Sequence, residues 1–456
     1  MRVGISTRDA LWSLGSGLLG AAAFPPVGLW PMALISLFLF LRTIASKNPS
    51  EARAIGLLYG FAFGLGTMYW LFGLFGVYAL VLIVIMANYF VLLASLIAMT
   101  RESPAAVRAL AVAIFAMAVE WFRGDAWYLR FPWYTPPHAL AQSPIWISSC
   151  HWIGTYGLSG LVWGIAAWTT FGKPYFALAY LVLPVGSFIL PAVEPPNQSA
   201  VLVQCEDTSK LEPLLSAIPT EQVDLVVLPE YAYPYGIDTA LKSKHGPVAL
   251  AKRLACPVIF GTVDGTYGAP NFQNVAAVLD DHGNLVGTFP KQRPVPLMVD
   301  GRPGDRRPVF PFSIGTLGIG LCYDFDAPAI AGSLTAAGAT ILVAPTGDLI
   351  PWGRVQHTNH ELLVRLRAVE NDRWVLRATT SGRSEAVDPH GVPSKEHLEF
   401  GETGKLVVSF ASRTSFALGG RLYFLGPLAG GVTLLFLLWN AWLVARKHRA
   451  GLISSI

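Results

Sequence analysis

TLGIGLCYD (Thr316–Asp324) is the stretch on which the fold turns. It is an uncharged apolar run that stops at a cysteine, followed by Tyr323 and Asp324. A short run of this kind, bounded by polar and turn residues, reads as a buried strand. In α/β folds the chemistry gathers just beyond the ends of such strands. The same grammar recurs on both sides, in AVLVQ (200–204), DLVVLPE (224–230), PVIFGTV (257–263), NVAAVLD (274–280), NLVGTFPK (284–291) and ATILVAP (339–345). HTNHELLVRLRAVEN (357–371) carries Leu362, Leu363, Leu366 and Val369 at helical spacing. DDHGN (280–284) reads as a hairpin turn and WVLRATTSGRSEAVDPHG (374–391) as a strand–turn–strand unit. Strands followed by helices predict a layered α/β domain over residues 194–420.

The flanks are different. Of 456 residues, 53% are hydrophobic and 14% charged, against about 25% charged in soluble domains. The mean hydropathy is +0.47. This excludes a disordered chain, an ordinary soluble enzyme and a nucleic-acid binder, and the apolar excess requires a bilayer. Cys150, Cys205, Cys256 and Cys322 have no paired spacing, so neither a disulfide framework nor a CxxC zinc site is expected. Seven apolar stretches precede the α/β part, at 10–26, 29–45, 55–76, 78–99, 107–122, 150–171 and 174–191; an eighth lies at 422–444. The organisation predicted is a membrane domain over 1–193, the α/β domain, and a last span with a basic tail over 421–456, about eight transmembrane helices in all. The run between Arg8 and Pro25 has the outline of a signal peptide, with Ala21 and Ala23 as small cleavage residues, but a second apolar run follows almost at once.

Lysine and arginine in short loops set the orientation. With the N-terminus inside, Arg2 and Arg8, then Arg42, Lys47 and Arg53, then Arg101 and Arg108, then Lys173, and finally Arg446, Lys447 and Arg449 all fall on the inner side. Arg123 and Arg130 are the exception, in a loop predicted outside. The α/β domain is therefore expected outside the cytoplasm, with both termini inside. A transporter is disfavoured, because no internal repeat is evident and Glu120 is the only strong intramembrane charge.

Three residues end strand-like runs: Glu230 after DLVVLP, Lys291 after NLVGTFP, and Cys322 after TLGIGL. Singly, each reads as a loop carboxylate, a surface lysine or a core thiol. Together they are a base, a cation and a nucleophile. A thiolate attacks a carbonyl, a neighbouring carboxylate takes the thiol proton, and an ammonium with the Tyr323 N–H holds the oxyanion. The loop from Trp121 to Tyr134 also contains Phe122, Trp127, Tyr128, Phe131 and Trp133, which read as an interfacial belt or as a lipid-entry wall. LIPWG (349–353), with Trp352, is a second segment suited to lipid contact. Arg123 is read as meeting a phosphate headgroup or pairing with Glu120 or Asp125. His357 and His360 have no evident third ligand, so they read as the start of a helix and no metal site is expected.

The Glu–Lys–Cys order with its LPE and LCYD contexts resembles the nitrilase, or carbon–nitrogen hydrolase, superfamily. Placed between seven spans and one, such a domain looks like the apolipoprotein N-acyltransferase family. EWFRG (120–124), FPW (131–133), GTYGLSGL (154–161), PEYAYP (229–234, with Tyr233) and RAVENDRWVLRATTSGRSEAVDPHG (367–391) are similar to that family's patterns. The resemblance implies a multi-pass protein of the bacterial cytoplasmic (inner) membrane whose nitrilase-like four-layer sandwich lies on the periplasmic, extracytoplasmic side. It implies an acyl chain moved from a phospholipid through a Cys322 thioester to the α-amine of diacylglyceryl-modified lipoproteins, with no cofactor. Two departures stand at the site. Val299 in PVPLMVDG occupies the place of the family's second Glu, so Asp300 is expected to substitute if the loop is shifted by one residue. Asp324 stands where Glu is usual. A tethered nitrilase or amidase acting on a small soluble substrate would need a water-open pocket. A divergent non-catalytic relative would function without Cys322.

Overall fold

The structure is a computed structural model and describes residues 4–219 and 223–453, with side chains up to Lys447. Arg2 and the side chain of Arg449, used above for orientation, lie outside the described residues. The N-terminal domain is a helical bundle of α1 (Thr7–Ala21), α2 (Pro31–Ile44), α3 (Pro49–Met68), α4 (Ala79–Met99), α5 (Ala105–Trp121) and α6 (Cys150–Phe171). Among the described residues, three stretches are long and apolar enough to cross a membrane: Pro49–Met99, which holds α3, a connecting segment and α4; Ala105–Ala126; and Gly419–Lys447. Pro31–Ile44 and Pro174–Ile189 are shorter apolar helices, and the latter is a 3-10 helix where an α-helical span is predicted.

The α/β domain contains β1 (Gln198–Gln204), β2 (Leu225–Val227), β3 (Val258–Asp264), β4 (Gln273–Leu279), β5 (Leu285–Pro290), β6 (Val309–Phe312), β7 (Gly315–Ile319), β8 (Ile341–Thr346), β9 (Val375–Thr379), β10 (Glu385–Val387) and β11 (Gly404–Phe410). They form a six-stranded sheet, β11-β1-β2-β3-β4-β5, and a five-stranded sheet, β10-β9-β8-β7-β6. Period-2 alternation splits each strand between two faces. Ala200, Leu202, Leu225, Val227 and Ile259 pack inward against Leu317, Ile319, Val343 and Leu376. Val201, Val203, Val226 and Phe260 pack outward against Leu211, Leu215 and, in α7 (Pro247–Leu254), Leu250. The outer face of the second sheet carries α8 (Pro328–Ala336) and α9 (Gly353–Asn371). The result is the four-layer sandwich expected.

Helix α9 decides how the domains meet. Val364 and Ala368 face the sheets. Leu362, Leu363, Leu366 and Val369, the stripe read from the sequence, pack instead with Trp133, Leu140, Ile147 and Cys150 of the membrane domain. Each such side chain contributes roughly 1.5–3 kcal/mol on burial. The motif GTYGLSGL docks there too. Helix α6 breaks at Gly154 (φ 68°), where a Cβ would come 2.8 Å from the Gly419 carbonyl oxygen. The break presents the Thr155 hydroxyl, which donates to Glu370 (2.6 Å) and accepts from Arg367 (2.8 Å). A last helix, α10 (Leu425–Ile453), leads away from the α/β domain with Leu434, Leu435 and Trp439 exposed. His357 and His360 lie inside α9, which begins four residues before His357, so they do not mark its start.

Candidate active site

Cys322 sits one turn beyond β7, at φ 49°, a left-handed backbone that a non-glycine residue holds only under constraint. The constraint is Asp324. Its Oδ2 accepts the Leu321 N–H (3.0 Å), and its Oδ1 accepts the N–H groups of Gln292 (3.0 Å) and Arg293 (2.7 Å). One buried carboxylate therefore fixes the cysteine elbow and the segment that follows Lys291. Burial pushes Asp324 up to about 7, opposed by Lys291 and by those three N–H groups. The shorter side chain still reaches all three donors.

Glu230 follows β2 and Lys291 follows β5, and both are buried. The Lys291 Nζ donates to Glu230 Oε1 (2.7 Å) and lies 2.6 Å from Asp300 Oδ2. Asn274, in β4, donates through Nδ2 to Glu230 Oε1 (2.7 Å) and to Asp300 Oδ1 (2.8 Å). The Tyr231 hydroxyl also donates to Asp300 Oδ1 (2.9 Å), and the Val295 N–H to its Oδ2 (2.7 Å). Thus Asp300 points at the lysine, while Val299 is 61% exposed. Leu297, at φ 68°, lies in the loop that makes this register. Gly347 gives Glu230 its space, because a Cβ there would come 2.5 Å from Glu230 Oε2. Its N–H also points at the Cys322 sulfur.

The electrostatics follow from two carboxylates around one ammonium in a dry site. Burial pushes Glu230 up, Lys291 pulls it back and Asp300 adds to the rise. Burial alone would lower Lys291, but Asp300 and Glu230 hold it well above the usual lysine value. Burial and the Glu230 carboxylate push the Cys322 thiol well up, against Lys291. The resting pair is thus a neutral thiol beside a carboxylate able to accept its proton.

Cys322 opens into an apolar groove between the two domains, with an empty volume of about 890 Å³ counted to its open mouth. Met68, Leu74, Phe75, Ile85 and Leu129 line it from the bundle side, and Leu297, Met298, Tyr323 and Trp352 from the α/β side. Trp133 lines it as well, buried to 2% exposure. Its Nε1 donates to Asp326 Oδ2 (2.6 Å). The Tyr323 hydroxyl donates to the Arg130 carbonyl (2.8 Å).

Two expected contacts fall elsewhere. Tyr233 is packed with Phe260 and Ala240 in the core outside the six-stranded sheet, not in the groove; the tyrosine that reaches the site is Tyr231. Arg123 is buried behind the groove, beside Glu120, in a separate cavity, and its Nη1 reaches the Phe131 carbonyl (3.4 Å). The Asp125 carboxylate is taken by Arg293, which also donates to the Gly124 carbonyl and ties the Lys291 segment to the bundle. Asn274 and Asp326 were not singled out in the sequence. The signal for Asn274 is a polar residue directly before the apolar run Val275–Leu279.

A layered sandwich with a cysteine, a lysine and two carboxylates at its strand ends, mounted against an apolar helical bundle, defines a carbon–nitrogen hydrolase domain joined to a membrane domain. The sequence pattern described as Carbon-nitrogen hydrolase matches residues 197–412, and that described as Apolipoprotein N-acyltransferase N-terminal domain matches residues 16–168. The chain carries these two domains, the N-terminal one first, and over nearly its whole length it is similar to apolipoprotein N-acyltransferases. It is 27% identical to the apolipoprotein N-acyltransferase of Pseudomonas paraeruginosa, over 96% of this chain and 97% of that one. It is 26% identical to that of Azotobacter vinelandii, over 84% and 85%. Among solved structures, an amidase from Nesterenkonia sp. is 21% identical with a TM-score of 0.41, covering 49% of this chain and 94% of its own.

Proposed function

We propose that this chain is an N-acyltransferase of the bacterial cytoplasmic membrane. It moves an acyl chain from a phospholipid to the α-amine of the N-terminal diacylglyceryl-cysteine of lipoproteins. The observation that carries this reading is the groove: an apolar channel walled by the helical bundle that ends on Cys322, directly above the Glu230–Lys291–Asp300 cluster. An acyl chain fits such a surface, and a small polar amide gains little from it.

In the first half-reaction Glu230 takes the Cys322 proton as sulfur attacks the ester carbonyl. The oxyanion is held by the Lys291 ammonium and the Tyr323 N–H. The lysophospholipid alkoxide leaves with the proton from Glu230, and a thioester remains. In the second, the lipoprotein α-amine attacks the thioester and loses its proton to Glu230. The amide forms, and the proton returns to the departing sulfur. Asp300 and Asn274 orient Lys291 and Glu230, and Asp324 orients the cysteine elbow. Trp133 and Trp352 contact the acyl chain, and Arg123 backs the groove wall without meeting the headgroup. No cofactor takes part.

The topology proposed has eight crossings, with both termini cytoplasmic and the α/β domain outside. Sixteen residues of 3-10 helix at Pro174–Ile189 reach about 32 Å at ~2.0 Å per residue, enough for a hydrocarbon core of about 30 Å. The basic loops support the orientation. The test of function is intact-protein mass spectrometry after incubation with phospholipid. One acyl chain on Cys322 is expected, released by hydroxylamine in one sample and transferred to a diacylglyceryl-cysteine peptide in another. A folded protein that takes no adduct from several phospholipids would overturn the reading.

A further inference from the structure

A second buried charge cluster lies on the opposite wall of the groove, and the scheme above makes no use of it. The His360 Nε2 is 3.0 Å from Asp326 Oδ1, and its Nδ1 is 2.7 Å from Asp348 Oδ1. The other oxygen of Asp348 takes Arg377, and the other oxygen of Asp326 takes the Trp133 indole N–H. All five side chains are at least nine-tenths buried. The Trp133 ring stacks on the His360 ring (centroids 5.8 Å, 24°), and it also stacks on Phe131 (5.6 Å) and lies against Trp70 (5.8 Å).

The elements involved give this cluster its meaning. Asp326 ends the short helix that Cys322 begins, Asp348 follows β8 and Arg377 is in β9. His360 is in α9 and lines the groove. Trp133 alone belongs to the membrane domain. A single imidazole thus joins the nucleophile's own helix to the aromatic wall that an acyl chain must slide along. Two carboxylates, one guanidinium and one imidazolium also balance in charge, so the cluster is stable when dry only with both His360 nitrogens protonated.

We propose that His360 is a positioning residue for acyl transfer: through Asp326 it locks Trp133 of the membrane domain to the Cys322 elbow, and so sets the register between a long acyl chain and the sulfur. This rests on the acyl-transfer reading above. A long chain feels both the wall and the elbow, whereas a short ester feels the elbow alone.

The full chain is reconstituted in nanodiscs with dipalmitoyl phosphatidylethanolamine, and palmitoylation of Cys322 is followed by mass. Acetylation of Cys322 by p-nitrophenyl acetate is followed in parallel. His360→Gln and Trp133→Phe are each expected to slow palmitoylation by about 10-fold or more, the scale of a sub-ångström misplacement. Acetylation is expected to stay within about 2-fold for His360→Gln, and palmitoylation by the double variant to be no slower than by the slower single one, because both substitutions break one connection. Equal losses on both esters, an unchanged palmitoylation rate, or losses that multiply would each overturn the proposal. Wild-type protein that is acetylated but takes no palmitoyl chain would instead remove the acyl-transfer reading on which it rests.

Discussion

Two buried charge clusters flank Cys322, built from nearly the same ingredients and put to opposite uses. On the side of the six-stranded sheet, Glu230 and Asp300 share Lys291, so negative charge exceeds positive and the cluster can accept a proton. On the side of the five-stranded sheet, Asp326 and Asp348 share His360 and Arg377, so the charges balance and the cluster has no proton capacity to spare. The first touches the reacting atoms. The second reaches across to Trp133. A buried carboxylate near a nucleophile is therefore not by itself a base; the local charge count decides.

The comparison breaks first at the nucleophile. Cys322→Ala should take no acyl adduct at all, and Glu230→Gln should slow adduct formation by roughly 10²–10⁴-fold, the usual worth of a general base. If Glu230→Gln acylates at the wild-type rate while Asp348→Asn does not, the two clusters have been assigned the wrong roles. Mass-detected acylation of Cys322 checks both.

Asp300 sharpens it next. Asp300→Asn removes a charged partner worth about 1.5–3 kcal/mol, so acylation should slow by roughly 10–100-fold. Val299→Glu should change the rate by less than about 2-fold, because that side chain is 61% exposed and aimed away from Lys291. A Val299→Glu variant that restores activity to Asp300→Asn would show that the loop adopts the other register.

Why one cluster was legible in the sequence and the other was not follows from these positions. Glu230, Lys291 and Cys322 each end an apolar strand, and such a strand announces its own end. Asp300 was flagged only as the neighbour of Val299, which holds the place of the resembled family's second Glu; its orientation depends on a left-handed Leu297, which a leucine side chain does not advertise. His360 sits mid-helix among apolar and charged neighbours, and Asp326 follows a motif already assigned. Only the packing of α9 between the second sheet and the bundle brings them together. The layered α/β domain was legible because strand runs are local, whereas its four-layer form was implied only by the family resemblance. The 3-10 conformation of Pro174–Ile189 was not, because its composition is that of any apolar helix.

The balanced cluster carries its own pH signature. Burial opposes the charged form of His360, but Asp348 and Asp326 prevail and raise it to about 9. A group raised in the folded state stabilises fully below its unfolded value, near 6.5, and that stabilisation is lost as pH climbs through the folded value. The groups facing it are Asp326, Asp348 and Arg377, with His357 on its own helix and His138 from the membrane domain. Between pH 7 and pH 10 the wild type should lose on the order of 2 kcal/mol more than His360→Gln. Thermal midpoints in detergent, taken across that range, measure the difference. Parallel curves for the two proteins would mean that His360 is not held as a cation.

The smallest effect belongs to the tyrosine that the sequence motif placed at the site and the fold placed elsewhere. Tyr233 lies in the core with Phe260 at 5.6 Å, and its buried hydroxyl has no hydrogen-bond partner among the described residues. Removing an unpartnered buried hydroxyl while keeping the ring relieves a desolvation cost and leaves the packing in place. Tyr233→Phe should therefore be neutral or stabilising by up to about 1 kcal/mol, with acylation unchanged within about 2-fold. Tyr231→Phe removes the donor to Asp300 Oδ1 (2.9 Å) and should slow acylation by roughly 3–10-fold, one ordinary hydrogen bond to a charged group. These substitutions, two positions apart in PEYAYP, isolate the side chain that faces the balance of charge around Lys291. A larger loss from Tyr233→Phe than from Tyr231→Phe would put the wrong tyrosine beside Asp300, and with it the wrong loop register.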